Sequence, residues 1–225
     1  MELFSKIFLT LHIAAGFTSI VLFWLPTLSK KGGDFHVKVG KLYVRAMWVV
    51  VITAMLLSIK NVIIGQIPPA IFLGFLAIIT ASPLWYAIAI LDLKKGQSES
   101  YKRKLFYFNI LIASYAIGMI IYGIQFEGSM RILMFIFGGL GLTAIPDIMK
   151  YLSKKPSRLT WIQEHLVGMF TTGIAAYTAF FVFGGQNFFR GIFTGYWSIL
   201  PWVAPGILGT IANFYFSNKY KPKEA

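Results

Sequence analysis

Long apolar runs alternate with short polar, basic segments along the whole chain. Seven runs are continuous in their hydrophobicity and about 20 residues long, the length a helix needs to cross the hydrocarbon core of a bilayer. They predict spans at Ser5–Leu28, Phe35–Ile64, Pro68–Leu93, Leu105–Gln125, Met130–Tyr151, Leu159–Gly184 and Gly191–Ser217. None shows the period-two alternation of a membrane strand. Turn chemistry falls where the runs break. Gly32-Gly33-Asp34 supplies a turn and then an N-cap for the second span. Pro68-Pro69 opens the third, where a missing backbone N–H costs little. Pro156-Ser157 separates the fifth from the sixth. The pattern predicts an all-α fold, a seven-transmembrane-helix bundle forming a single transmembrane helical domain over residues 1–225.

Composition sharpens this picture. Only 13% of residues are charged and 57% are hydrophobic, whereas a soluble domain carries roughly a quarter charged residues. The net charge is +13. On a soluble chain that would suggest nucleic acid, but here the basic residues occupy loops between apolar spans. They point instead to a lipid bilayer with anionic headgroups, and away from a nucleic-acid partner.

Lys30, Lys31, Lys38, Lys41 and Arg45 follow the first span. Lys94, Lys95, Lys102, Arg103 and Lys104 follow the third; Lys150, Lys154, Lys155 and Arg158 follow the fifth; Lys219, Lys221 and Lys223 end the chain. These are seventeen of the 21 basic residues; the opposite ends carry Lys6, Lys60, Arg131 and Arg190. The asymmetry predicts a bacterial cytoplasmic (inner) membrane protein with its N-terminus outside and its C-terminus in the cytoplasm. Ser29-Lys30-Lys31 follows the first run in place of a small-residue cleavage site, so a retained first helix is expected. The absence of cysteine excludes disulfides, iron–sulfur clusters and zinc-thiolate sites.

Small and polar residues mark the helix faces expected to pack. In the sixth span Trp161, His165, Gly168, Thr172, Ala175, Ala176 and Ala179 share one face, with Leu166 and Phe170 off its centre. His12, Gly16 and Ser19 form a stripe in the first span, and Asn109, Ala113 and Ala116 in the fourth. The fifth carries Gly138, Gly139, Gly141 and Thr143, followed by Asp147. Pro201 and Pro205 are expected to kink the last span.

Ionisable groups within a membrane are costly and mark candidate chemistry. His36, Asp147, Glu164 and His165 fall at similar depth near the basic end and, with Arg45, are expected to form one polar cluster. His12 lies near the other end of its span, more than about 10 Å away in depth. Mixed imidazole and carboxylate ligands suit a divalent metal, and His36 with His165 suits a single haem b. A proton or ion relay in a small-solute or proton transporter uses the same groups. The plain alternative pairs the carboxylates with Arg45, Lys150 or Arg158 to orient helices. No HExxH, CxxCH, GxSxG or Walker sequence assigns an enzyme activity, no mid-membrane Lys in the last span suits a retinal Schiff base, and no internal repeat suggests an inverted-repeat transporter.

Two stretches carry a family likeness. One runs from Leu11-His12-Ile13-Ala14-Ala15-Gly16 to His36-x-Lys38-x-Gly40-Lys41-x-Tyr43 and Met47. The other is Trp161-x-x-x-His165-x-x-x-Met169, continuing to Thr178-Ala179-Phe180. They resemble a bacterial family of predicted membrane proteins named only for a domain of unknown function. The resemblance implies that His12, His36 and His165 belong to one pattern, and it supplies no role for them. The His36 loop also looks like the basic loop and histidine that precede a helix in cytochrome b561-type proteins. Those use two pairs of haem-ligating histidines; with three histidines here, at most one such haem is possible.

Overall fold

The computed structural model describes residues 2–93, 98–155, 159–185, 191–193 and 195–220. Among them there is no strand. The helices are α1 (Glu2–Leu28), α2 (Asp34–Ile63), α3 (Ile67–Ala89) with a 3₁₀ turn at Ile90–Leu93, and α4 (Glu99–Gly123). Then come α5 (Gly128–Leu142), α6 (Ile145–Leu152), α7 (Trp161–Ala179) with a π-helical turn at Phe180–Gly184, a 3₁₀ turn at Gly195–Ile199, and α8 (Leu200–Lys219). They make seven spans long and apolar enough to cross a membrane, with α5 and α6 sharing one. The chain is a multi-pass, all-α membrane protein. Large apolar side chains such as Val21, Ile52, Ile121, Ile136 and Leu208 cover its outer surface, where lipid rather than water is the fitting solvent.

Local chemistry explains where the elements depart from the sequence expectation. Gly33, with no side chain to offer, holds the N-cap position of α2; Asp34 enters the first turn instead of capping it, where its charge faces the helix dipole favourably. Helix α4 starts six residues before Leu105, because the Ser98 hydroxyl accepts from the Tyr101 N–H at 3.2 Å. Hydropathy marks the edge of the apolar zone, and Lys102–Lys104 continue the helix beyond it. The fifth span is broken. Pro146 has no N–H for the Leu142 carbonyl, and the chain crosses the gap on i→i+3 bonds from Thr143 to Leu140 and Ala144 to Gly141, each 3.2 Å. Pro201 lies in the first turn of α8, where it breaks no hydrogen bond, and Pro205 lies inside the helix. Lys94, Lys95, Pro156, Ser157, Arg158, Arg190, Lys221 and Lys223 lie outside the described residues.

Two apolar clusters form the interior, and α3 contributes to both. Its Phe72 and Phe75 pack with Ile112, Ala116, Met119 and Met134 of α4 and α5. Its Leu84 packs with Phe23, Tyr43, Met47, Leu166 and Phe170 of α1, α2 and α7. The burial of α7 corrects the expected single face. Gly168 and Thr172 are buried as anticipated, but so are Gln163, Leu166, Phe170 and Gly173, while Ala179 is exposed. At 3.6 residues per turn these positions fall on opposite sides of the helix. α7 is therefore enclosed by α1, α3 and α8, with Tyr43 of α2 bonded to Thr172.

Gly168 sets the approach of α7 to α3. A Cβ there would stand 2.6 Å from the Ala87 Cβ and 2.8 Å from the Pro83 carbonyl oxygen. Gly168→Ala is expected to lower stability by about 1–3 kcal/mol through overpacking, whereas Gly139→Ala, which adds its methyl to open space, should not. Thermal midpoints in detergent check this; equal effects of the two would contradict the close approach.

Candidate functional site

Helix ends leave carbonyls without intrahelical partners, and in this protein histidines and a lysine meet them. Pro26 and Thr27 belong to the last turn of α1. Lys31 Nζ donates to the Pro26 oxygen at 2.9 Å and the Thr27 oxygen at 2.5 Å. His36 Nδ1 bonds the same Pro26 oxygen at 3.0 Å. Ala87 belongs to the last turn of α3, and its carbonyl takes His165 Nδ1 at 2.7 Å. A carbonyl only accepts, so each ring carries a proton on Nδ1, and in the neutral ring Nε2 then keeps its lone pair. His12 instead bonds the middle of α2, with Nδ1 at 3.2 Å from the Val50 oxygen and 3.0 Å from Thr53 Oγ1.

The relation between His36 and His165 follows from one hydrogen bond. Tyr43 Oη meets Thr172 Oγ1 at 2.8 Å, with both side chains buried. Tyr43 is seven residues beyond His36, and Thr172 seven beyond His165. Seven residues are close to two full turns, about 10 Å along the axis. As second and sixth spans of an alternating bundle, α2 and α7 run parallel. The two histidines thus sit on the faces that Tyr43 and Thr172 bring together, at matching height. His36 and His165 lie within electrostatic reach of one another, and both within reach of Lys31. Val50 lies 14 residues past His36 on α2, so His12 sits about 20 Å further along the bundle.

The carboxylates go elsewhere. Glu164 precedes His165 by one residue and so points about 100° away around α7. It interacts with Tyr86 of α3 and Tyr101 of α4, and Asp147 reaches Tyr86 from α6. Asp147 itself is exposed. Arg45 is exposed on the side of α2 away from buried Tyr43 and Met47, so it does not join the expected inner cluster. Among the described residues no three His, Asp or Glu side chains stand close enough to hold a metal ion. The expected set of His36, Asp147, Glu164 and His165 is divided by azimuth although its members share a depth.

Lys31, Tyr43, Tyr86, Tyr101 and Thr172 complete the region. The i, i+7 spacing His36/Tyr43 and His165/Thr172 was a usable sequence signal; Lys31 read only as one more loop charge. Its ammonium also lies 5.2 Å from the Phe216 ring centre and 5.9 Å from that of Tyr220, so it ties the end of α1 to the end of α8. Burial, and then the Lys219 charge, bring its pKa down from 10.5 to about 8. A base with a lowered folded pKa binds fewer protons folded than unfolded between those two values, so stability rises with pH across that window. The thermal midpoint of the natural chain, relative to Lys31→Gln, should climb from about pH 8 to about pH 10.5. A flat difference would contradict the buried ammonium.

Comparison with protein-family models, with curated proteins and with solved structures finds no match.

Proposed function

We propose that this chain is a bacterial inner-membrane protein that uses the paired imidazoles of His36 and His165 as a ligand-binding centre at its cytoplasmic end. The observation that carries the reading is the fixing of both Nδ1 atoms by helix-end carbonyls. Metal-ligating histidines commonly donate their second ring N–H to such an acceptor, which fixes the tautomer and leaves Nε2 to bind. A protein-only cage for a metal ion asks for three or four ligands, and two histidines better suit a single haem b, which His36 and His165 would hold. Such a group would supply one-electron chemistry. The chain's own part is to hold two neutral imidazoles at one height on parallel helices, with the Lys31 ammonium near both.

An optical spectrum of the purified protein, with elemental analysis for iron and other transition metals, tests this. The expected result is a haem spectrum that His36→Ala and His165→Ala abolish and His12→Ala keeps. A protein with neither chromophore nor stoichiometric metal, or one in which His12→Ala alone removes the signal, contradicts the reading.

The orientation rests on the distribution of basic residues. Reporter fusions after Lys104 and Ala225 are expected to report cytoplasm, and fusions in the 124–127 loop the outside. The opposite pattern would invert the proposal.

A further inference from the structure

Lys31 joins the ends of α1 and α8, and a second ammonium stands beside it. The Lys31 Nζ lies 5.2 Å from the Phe216 ring centre and 5.9 Å from that of Tyr220, and the Lys219 Nζ lies 5.8 Å from the same Tyr220 ring. Like charges gathered on one ring repel, and the Lys219 charge is one reason the Lys31 pKa falls. Neither ammonium pairs with a carboxylate among the described residues, where the ion pairs are Lys6–Glu2 and Lys102–Glu99. The Pro26 and Thr27 carbonyls take two of the three Lys31 donors. A helix C-terminus carries only about half a negative charge, so it offsets a small part of two full positive ones.

We propose that Lys31 and Lys219 form a binding site for the phosphate of an anionic phospholipid at the junction of α1 and α8. Ammoniums only donate, and the free oxygens of a phosphodiester accept, so one phosphate can take the third Lys31 donor together with one from Lys219. The apolar surroundings select a lipid over a soluble anion. Leu25 and Leu28 in the last two turns of α1, and Phe214 and Tyr215 in the last two turns of α8, are exposed, and acyl chains are the solvent that suits them. Basic groups held between helices beside such a surface are a setting in which anionic headgroups bind. A zwitterionic lipid brings a cation of its own to the two ammoniums, so the ligand needs a net negative charge. This is a site rather than the general attraction of a basic end, because it needs these two side chains, and it does not depend on what the histidine pair binds.

The test uses the full chain in a mild detergent, titrated with phosphatidylglycerol, and reads bound lipid by native mass spectrometry together with the thermal midpoint. A phosphatidylglycerol molecule should stay with the chain, and the midpoint should rise with lipid concentration. Lys219→Gln, at an exposed side chain, and Lys31→Gln should each weaken binding about fivefold, the weight of one lysine beside an anionic lipid. Lys104→Gln, which removes an exposed charge of α4 at the same end of the bundle, should leave binding unchanged. An equal loss in Lys104→Gln means diffuse attraction and overturns the proposal. Phosphatidylcholine binding as tightly overturns it, and so does inorganic phosphate raising the midpoint as far, since the ligand would then not be an anionic lipid. Binding that keeps its full strength in Lys219→Gln overturns it as well, even where Lys31→Gln does not fold.

Discussion

Backbone carbonyls at helix ends must find donors, and inside a membrane they cannot turn to bulk water for them. Much of this protein's basic end is arranged around that requirement. The last turn of α1 is met by Lys31 and His36, and the last turn of α3 by His165. Each of these side chains comes from a different segment than the carbonyl it serves, so satisfying helix ends also joins helices. The same bonds place a proton on Nδ1 of each ring, so a structural need also orients the imidazoles.

The arrangement requires α3 and α7 to lie close. His165 reaches Ala87 because Gly168, one turn later on α7, lets the backbone approach Pro83 and Ala87. Gly173 does the same against the Phe23 ring of α1. Between them Thr172 bonds Tyr43. Three successive contacts therefore dock α7 on three neighbours, and the height and azimuth of His165 follow from them. Lys31, seated on the rings of Phe216 and Tyr220, extends the same logic to α8.

This packing sorts ionisable groups into two neighbourhoods. His36 and Lys31 gather at the end of α1, His165 meets α3 at Ala87, and Glu164 acts on the tyrosines Tyr86 of α3 and Tyr101 of α4. A carboxylate in contact would favour a protonated imidazole, and the azimuth of Glu164 on α7 turns it away from His165.

The sequence alone determined the class of protein and the number of spans. Apolar run length and the placement of Lys and Arg report directly on the solvent each segment needs, and they were sufficient for seven spans, though the fourth helix begins six residues before the expected Leu105 and the last nine residues after the expected Gly191. It also brought His36 and His165 to one depth, since rise per residue is fixed once a span's end is known. Tertiary structure decided the rest. The break at Thr143-Ala144 depended on Pro146 at a point where hydropathy runs on without change. The early start of α4 depended on a serine cap beyond the apolar zone. The division of Glu164 from His165, the outward turn of Arg45 and the seating of Lys31 on two carbonyls all depended on azimuth. Depth along a helix is a property of the chain, but the direction a side chain faces acquires meaning only when neighbouring helices enclose it, and α7 is enclosed on more than one side.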